Sequence, residues 1–345
     1  MKQYTRETKR LWLRSAFFVL FVLAPPLDLF RFDLTLGHFF LFGYPWTLGI
    51  DRFAAGEIGA GGAAVQMALR GLLPIVLVVG GVIWVSWKYG RLYCGWLCPH
   101  FSVVETINAL MRRAIGKLSV WDKRRLPEIL PDGRRIRPSR IWWIPTLFAV
   151  VGFAFLWATA LLTYLLPPAE VYGNLANLQP TRNQALFIGI GTLLFSIEFL
   201  YARHLFCRFG CAVGLFQSLA WMGNKKAMVV GFDRHRVKAC TDCDNACDNA
   251  CPMRLKPRSI KRRMFTCTQC ARCLQACDQV MGGPRESLLH WVSGADALDV
   301  SDREFGRSDG RREGNRTPGT QSSRCGSNSD GGHLLCGLCD SANSS

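Results

Sequence analysis

Four long apolar runs constrain the fold of this chain more than any other feature of its sequence. They cover residues 11–27, 71–87, 141–166 and 185–201, and together they contain only two charged residues, Arg14 and Glu198. A bilayer core about 30 Å thick requires roughly 17–25 helical residues. We therefore predict a mainly α-helical membrane protein with about four transmembrane helices. Buried helices of a soluble protein are the alternative.

Basic residues are unevenly distributed between these runs. Lys and Arg outnumber Asp and Glu by 42 to 25, and the net charge is +17. The segments before the first run, between the second and third, and after the fourth are rich in Lys and Arg, whereas the other two hold three and one. Under the positive-inside rule, this pattern predicts a multi-pass protein with both termini in the cytoplasm. Membrane topology thus accounts for the charge, and we expect no nucleic-acid partner.

The composition divides the chain into three parts. Residues 1–224 form the predicted membrane domain, with a cytoplasmic loop at 88–140, and residues 225–292 form a basic, Cys-rich domain. Residues 301–345 are rich in Gly and Ser with almost no aliphatic runs, so we expect a disordered polar tail. The apolar stripe of residues 103–118 fits a helix lying in the membrane interface or one packed on the protein.

The strongest chemical signal is a pair of cysteine motifs in the Cys-rich domain. Cys267, Cys270, Cys273 and Cys277 follow the C-x2-C-x2-C-x3-C spacing of bacterial ferredoxins. An earlier group, Cys240, Cys243, Cys247 and Cys251 followed by Pro252, has one extra residue in its middle gap. We therefore predict a small α+β, two-cluster ferredoxin domain on the cytoplasmic side.

The spacing also predicts which thiols share a cluster. In two-cluster ferredoxins the last Cys of each motif ligates the other cluster. Cluster 1 would be held by Cys240, Cys243, Cys247 and Cys277. Cluster 2 would be held by Cys251, Cys267, Cys270 and Cys273. Structural zinc sites on a membrane scaffold are the alternative, although zinc motifs have longer separations and often include His.

Two further cysteine pairs follow the second and fourth apolar runs. Cys94 and Cys98 form one C-x3-C pair, and Cys207 and Cys211 form the other. On a helix each pair would lie on one face. Both pairs are predicted at cytoplasmic ends of spans, so the four thiols would converge beside the ferredoxin domain. Such a set would bind a soft ion such as Cu(I), cycle as dithiols or pass electrons. Four unreactive buried cysteines are the alternative.

At these residues the chain resembles the FixG/CcoG family of cytochrome c oxidase accessory proteins, which are membrane polyferredoxins. The matching stretches are Phe32-Asp33, residues 90–99, residues 206–211, Phe216-Gln217-Ser218 and residues 267–281. NapH/NosR-type ferredoxins are the next nearest resemblance. The resemblance implies a bacterial inner-membrane electron carrier with two [4Fe–4S] clusters. It also implies copper-reductase activity, from Cu(II) to Cu(I), in assembly of a cbb-type oxidase. Cys94, Cys98, Cys207 and Cys211 would then be the redox or copper thiols.

The resemblance leaves other functions open. A quinol-linked ferredoxin of the NapH/NosR kind would pass electrons to a partner reductase, with Trp96, His100, His204 and Glu198 as candidate quinone contacts. The expected partners are therefore the lipid bilayer and redox proteins, either oxidase assembly factors or a reductase. The chain departs from the family in having Ala212 where Pro usually follows the second pair, and in the extra residue of the first cluster motif. The family usually continues into a further span and an immunoglobulin-like domain, whereas this chain continues in the polar tail.

Overall fold

The computed structural model describes residues 4–240 and 243–295, which pack as one compact unit. The predicted polar tail, 301–345, lies outside the described residues. Its separation from the domains 1–224 and 225–292 stays a prediction.

The described residues are mostly helical. Their α-helices are α1 Tyr4–Leu23, α2 Ile50–Ala54, α3 Ala60–Met67, α4 Leu73–Tyr89, α5 Leu92–Trp96, α6 Pro99–Ile115, α7 Trp143–Thr163, α8 Pro168–Ala176, α9 Arg182–Ile197, α10 Ala212–Gly223, α11 Ala246–Ala250 and α12 Arg272–Val280. Their π-helical turns are Ala68–Leu72, Glu198–Ala202 and Phe206–Gly210, and their 3-10 segments are Arg140–Trp142, Arg234–Cys240 and Lys261–Met264. Their strands are β1 Phe30–Asp33, β2 His38–Leu41, β3 Tyr44–Trp46, β4 Met228–Phe232 and β5 Leu289–Ser293.

Three helical stretches of the described residues are long and apolar enough to cross a membrane. They are Ala60–Tyr89, Arg140–Thr163 and Arg182–Ala202, and each contains or overlaps one of the predicted runs. The remaining predicted run, 11–27, falls on α1, whose first half is charged and which ends at Leu23, before Pro25 and Pro26. The count of four spans and the cytoplasmic termini therefore stay predictions.

Helix α1 contains basic residues that form buried ion pairs with another helix. Arg10 is only 5% exposed, and it donates one hydrogen bond to the Gly95 carbonyl and one to Glu105, each 2.8 Å long. Arg14 and Arg272 also form ion pairs with Glu105. A buried carboxylate is stable only with such compensation. This network fastens α1 and α12 to α6.

Helix α6 shows which alternative holds for the amphipathic stripe at 103–118. Val103, Ile107 and Met111 are at most 1% exposed and pack against α7 residues such as Val150 and Ala154. The helix is therefore packed on the protein and does not lie free in the interface. It ends at Gly116, whose φ of 72° is a left-handed conformation that glycine adopts without steric cost.

Two small antiparallel sheets complete the unit. Strands β1, β2 and β3 pair in that order in the connection between α1 and α2. Strands β4 and β5 pair with Met228 opposite Ser293 and Phe232 opposite Leu289. Along the chain, β4 precedes the cysteine-bearing helices α11 and α12, and β5 follows them.

Candidate iron–sulfur and thiol sites

The first cavity is lined by four cysteines. Its thiols are those of Cys240, Cys243, Cys247 and Cys277. Phe232, Leu288 and Leu289 make part of the wall, and Arg258 is the one charged residue among the described residues that line it. The Arg258 guanidinium is held by Asp248 at 2.8 Å. The structure thus brings together the four residues predicted for cluster 1, from α11, α12, the preceding 3-10 segment and the loop between that segment and α11.

The second cavity is lined by the other four cysteines of the two motifs. These are Cys251, Cys267, Cys270 and Cys273. Val230, Met253, Leu255 and Met264 contribute to a largely apolar wall, and none of the described residues that line it is charged. The four residues predicted for cluster 2 therefore share this cavity. Among the described residues, no three His, Cys, Asp or Glu side chains form a group that could hold a single metal ion.

Left-handed residues shape both cysteine loops. Asp244 and Asn245, between Cys243 and Cys247, have φ values of 47° and 54°. Asp and Asn are the non-glycine residues that tolerate this conformation best. The extra residue in the first motif lies in this turn, immediately before α11. In the second motif Gln269 and Ala271 are left-handed on either side of Cys270.

The four-thiol group, Cys94, Cys98, Cys207 and Cys211, has the same layout in its two pairs. The first cysteine of each lies on a short helical turn, and the second is the N-cap of the next helix, α6 or α10. The expectation that each pair lies on one continuous helix is wrong. In the first pair Pro99 begins a new helix and disfavours a helical conformation at Cys98. The Cys211 sulfur accepts a hydrogen bond from the Gly214 N–H at 3.5 Å.

The thiols of the four-thiol group are half-buried and interact with one another. Burial, and then the neighbouring Cys98 thiol, raise the pKa of Cys94 to about 12. Burial likewise raises the pKa of Cys207 far above its usual value, with smaller contributions from Cys98, Glu198, Cys94 and Cys211. These interactions show that the structure draws the two pairs together. The Cys94 thiol also donates to Gln217 Oε1 at 3.3 Å.

The turn that carries Cys94 abuts the loop that lines the second cavity. A Cβ atom added at Gly95 would lie 2.2 Å from the Thr268 carbonyl oxygen and 3.2 Å from the Cys270 nitrogen. The Trp96 indole donates to the Gln269 carbonyl at 3.1 Å. Cys98, Cys207 and Cys267 border one hydrophobic core. The four-thiol group and the second cavity are therefore neighbours.

The four residues predicted as quinone contacts do not all lie together in the structure. His100 Nε2 lies 3.0 Å from Glu198 Oε2, and His100 Nδ1 lies 3.6 Å from the Cys207 sulfur. Trp96 instead anchors the cavity loop. Burial, with Arg203 and Arg208 nearby, lowers the pKa of His204 to about 4, so this ring is neutral at pH 7. The structure thus places only His100 and Glu198 together, beside the four-thiol group.

A groove borders the first cavity. Its walls include the loop 127–135 together with Glu7 and Arg272. Cys243, Ala246 and Val280 line both the groove and the first cavity. A single layer of side chains therefore separates the first cavity from the groove.

Sequence reasoning missed several residues around these sites. Gly95, Gln217 and Arg91 each contact the four-thiol group or its link to the second cavity. Their position next to, or six residues after, a cysteine pair was the available signal. Gly95 lies beside Cys94, and Arg91 lies three residues before it. A rule based on cysteine spacing does not detect either residue.

The match to a known family covers the four-thiol group and neither of the two cavities. The chain matches the family described as "4Fe-4S binding domain" over residues 71–117 and 183–227. These two segments contain the whole four-thiol group, whereas the eight cysteines of the two cavities lie outside them. No solved structure matches the chain.

Three relatives illustrate the range of similar proteins. YccM of Escherichia coli, named as a candidate electron transport protein, is 26% identical over 61% of this chain and 56% of its own length. The ferredoxin-type protein NapH of Escherichia coli is 24% identical over 67% and 74%. The nitrogen fixation protein FixG of Rhizobium meliloti is 27% identical over 64% and 44%. The chain therefore spans little more than half of YccM and less than half of FixG.

Proposed function

We propose that this chain, which fits the FixG/NapH-type family of membrane iron–sulfur electron carriers, delivers single electrons to copper held by its four-thiol group. FixG is a distant relative among several at similar identity, so the family supports electron transfer and leaves the acceptor open. The contact between Gly95 and the Thr268–Cys270 loop carries the proposal. It puts the four-thiol group, whose thiols we propose as the copper ligands, beside the second cavity.

The two cavities fit [4Fe–4S] clusters. Each is lined by four thiols, the donor set that such clusters use, and its remaining wall is mostly apolar. Cys240, Cys243, Cys247 and Cys277 would hold one cluster, and Cys251, Cys267, Cys270 and Cys273 the other. When bound, such a cluster accepts and donates one electron at a time. The apolar wall excludes water and keeps the thiols in place.

The four-thiol group suits copper as a substrate. Thiolates are soft ligands that favour Cu(I) over Cu(II), so they raise the reduction potential of copper that they hold. Cu(II) bound there takes up one electron and becomes Cu(I). Cys98 and Cys211 stand at helix N-termini, where backbone N–H groups favour negatively charged sulfur. The proposed acceptor of the resulting Cu(I) is an assembly factor of a cbb-type oxidase.

Copper reduction is tested on reduced, purified protein mixed with Cu(II). The Cys94→Ser and Cys207→Ser variants should lose most of the rate of Cu(I) formation, which a Cu(I)-specific chromophore reports. Cys325→Ser, at a cysteine that belongs to neither cluster motif and to neither C-x3-C pair of the sequence, is the matched control. Unchanged rates in the first two variants would remove the four-thiol group from the reaction.

A quinol-linked carrier is the second candidate. The observation in its favour is that Glu198 Oε1 is buried without a hydrogen-bond partner among the described residues, next to His100. A quinol hydroxyl at the membrane edge would satisfy this oxygen. Reduction of the protein by a soluble quinol, lost in Glu198→Gln, would support this candidate against copper reduction.

We also infer an inner-membrane topology with four spans, in which α1 is the first. The uneven distribution of basic residues supports cytoplasmic termini and cytoplasmic sites. The cysteine pairs follow the C-terminal ends of the candidate spans Ala60–Tyr89 and Arg182–Ala202. In the proposed four-span topology these two ends lie on the same side of the membrane. Labelling of single cysteines placed at residues 43 and 133 in intact spheroplasts distinguishes the two sides. Only residue 43 should react with an impermeant reagent.

A further inference from the structure

Arg91 is a buried arginine with one free nitrogen beside the four-thiol group. Its side chain is 1% exposed. The Nε atom donates to Ser218 Oγ at 2.5 Å, and Nη1 donates to the Cys207 carbonyl at 2.8 Å. The third nitrogen, Nη2, is buried and has no hydrogen-bond partner among the described residues. A guanidinium stays charged in proteins, so this arrangement leaves part of a buried positive charge uncompensated.

Thiols of both neighbouring sites influence the charge on Arg91 electrostatically. Burial lowers the pKa of Arg91, and the thiols of Cys94, Cys211, Cys207 and then Cys267 act against this shift. The first three belong to the four-thiol group, and the last lines the second cavity. Ser218 continues the connection, because its hydroxyl donates to the Phe265 carbonyl at 2.6 Å, two residues before Cys267.

We propose that Arg91 is a counter-ion shared by the four-thiol group and the second cavity, and that its free Nη2 compensates the negative charge of metal-bound sulfur. The proposal rests on the proposed function, because it supposes Cu(I) at the first site and a redox centre at the second. A thiol loses a proton to solvent when it ligates. One Cu(I) bound by two thiolates therefore has a net charge of −1. Each electron that enters the second cavity adds one negative charge.

Arg91 then favours both events by the same electrostatic attraction. Without it, Cu(I) binding and reduction of the second-cavity centre should both become less favourable, in the same direction. A merely structural arginine would not move a midpoint potential in a folded, fully loaded protein. Arg91 is therefore a positioning residue whose effect is measurable apart from turnover.

The test uses three variants of the full chain, purified without oxygen. Arg91→Gln removes the charge and keeps hydrogen-bonding groups, and Arg91→Lys keeps the charge. Arg113→Gln is the net-charge control, because Arg113 is exposed and lies over the Trp142 ring. Competition with a chromophoric chelator gives the Cu(I) affinity, and EPR-monitored titration gives the midpoint potentials.

We expect Arg91→Gln to bind Cu(I) at least tenfold more weakly. It should also lower one midpoint potential by about 59 mV for each tenfold change in the reduction equilibrium. Arg91→Lys and Arg113→Gln should stay within about threefold of the wild type. Should Arg91→Gln fail to fold, Gly214→Ala replaces it, since its new methyl group would lie 3.0 Å from Nη1 and displace the guanidinium.

Failure of the proposed function and failure of the Arg91 proposal give different results. Wild-type protein that binds no Cu(I) would overturn the proposed function, and with it the copper part of this proposal. Wild-type binding together with unaltered affinity and potentials in Arg91→Gln would overturn the role of Arg91 alone.

Discussion

Replacement of Gly95 by alanine should separate the four-thiol group from the second cavity. The added methyl group would lie 2.2 Å from the Thr268 carbonyl oxygen, whereas ordinary carbon–oxygen contacts are about 3.3 Å or longer. The two backbones must therefore move apart by about 1 Å. The neighbour is main chain and lies next to a cavity cysteine, so it has no flexible end that can turn away.

The expected cost follows from overpacking. Insertion of a methyl group into a packed interior costs about 1–3 kcal/mol. Alanine has a higher helix propensity than glycine, which offsets up to about 1 kcal/mol of this cost. The net loss of about 1–2 kcal/mol should weaken the docking of the two segments by roughly one order of magnitude.

Two assays check this prediction. Iron release to a chelator should become faster for the second cavity and stay unchanged for the first. Electron transfer to Cu(II) should slow in parallel. Gly173→Ala is the matched control, because a Cβ at this helical glycine meets no atom within 4 Å. Iron release and copper reduction at wild-type rates in Gly95→Ala would refute the proposed contact.

Three further predictions concern thiol reactivity, cluster lability and buried charge. Since burial raises the pKa of Cys94 to about 12, its metal-free thiol should react at least about 10³-fold more slowly than a free thiol at pH 8, and faster as pH rises toward 12. The Cys207 thiol, whose pKa burial also raises, should react slowly as well. Peptide mass spectrometry after alkylation measures this, and equal labelling at pH 8 would contradict it. Because the first cavity borders the groove, mild oxidation should destroy its cluster before that of the second cavity, as followed by EPR; the reverse order would contradict the geometry. Glu105→Gln should destabilise the protein by about 3–5 kcal/mol, since it leaves buried arginines unpaired. The exposed pair partner Glu128, changed to Gln, should cost at most about 1 kcal/mol in the same thermal unfolding assay; equal losses would refute the buried network.

Much of the helical framework was predictable because it depends on local patterns. Three apolar runs, two of them without charge and the third with Glu198 as its one charged residue, fall on helices long enough to span a membrane. The run at 11–27 was less informative, because the charges of α1 continue into it and Arg14 is paired with Glu105, a residue 91 positions later in the chain. Hydropathy describes the surroundings that a helix prefers, and a pairing of this kind depends on the tertiary fold.

The cysteine spacings were informative for a different reason. Cluster ligation follows from chain geometry over a few residues, so the motifs predicted which thiols line a common cavity. The turn at Asp244 and Asn245 depends on backbone conformation that the spacing does not specify. The contact of Gly95 with Thr268 joins residues 173 positions apart. No local pattern encodes such a contact, although it is what places the two sites side by side.

Metal and sulfide content of the protein, purified from membranes without oxygen, shows whether the two cavities hold clusters. We expect about eight iron atoms and eight sulfides per chain, no stoichiometric zinc, and an EPR signal on reduction. About four iron atoms should be lost in Cys273→Ser. About twelve iron atoms, four of them lost in Cys94→Ser, would place a cluster in the four-thiol group and contradict its role as a copper site. A colourless, iron-free protein that contains zinc would contradict the account as a whole.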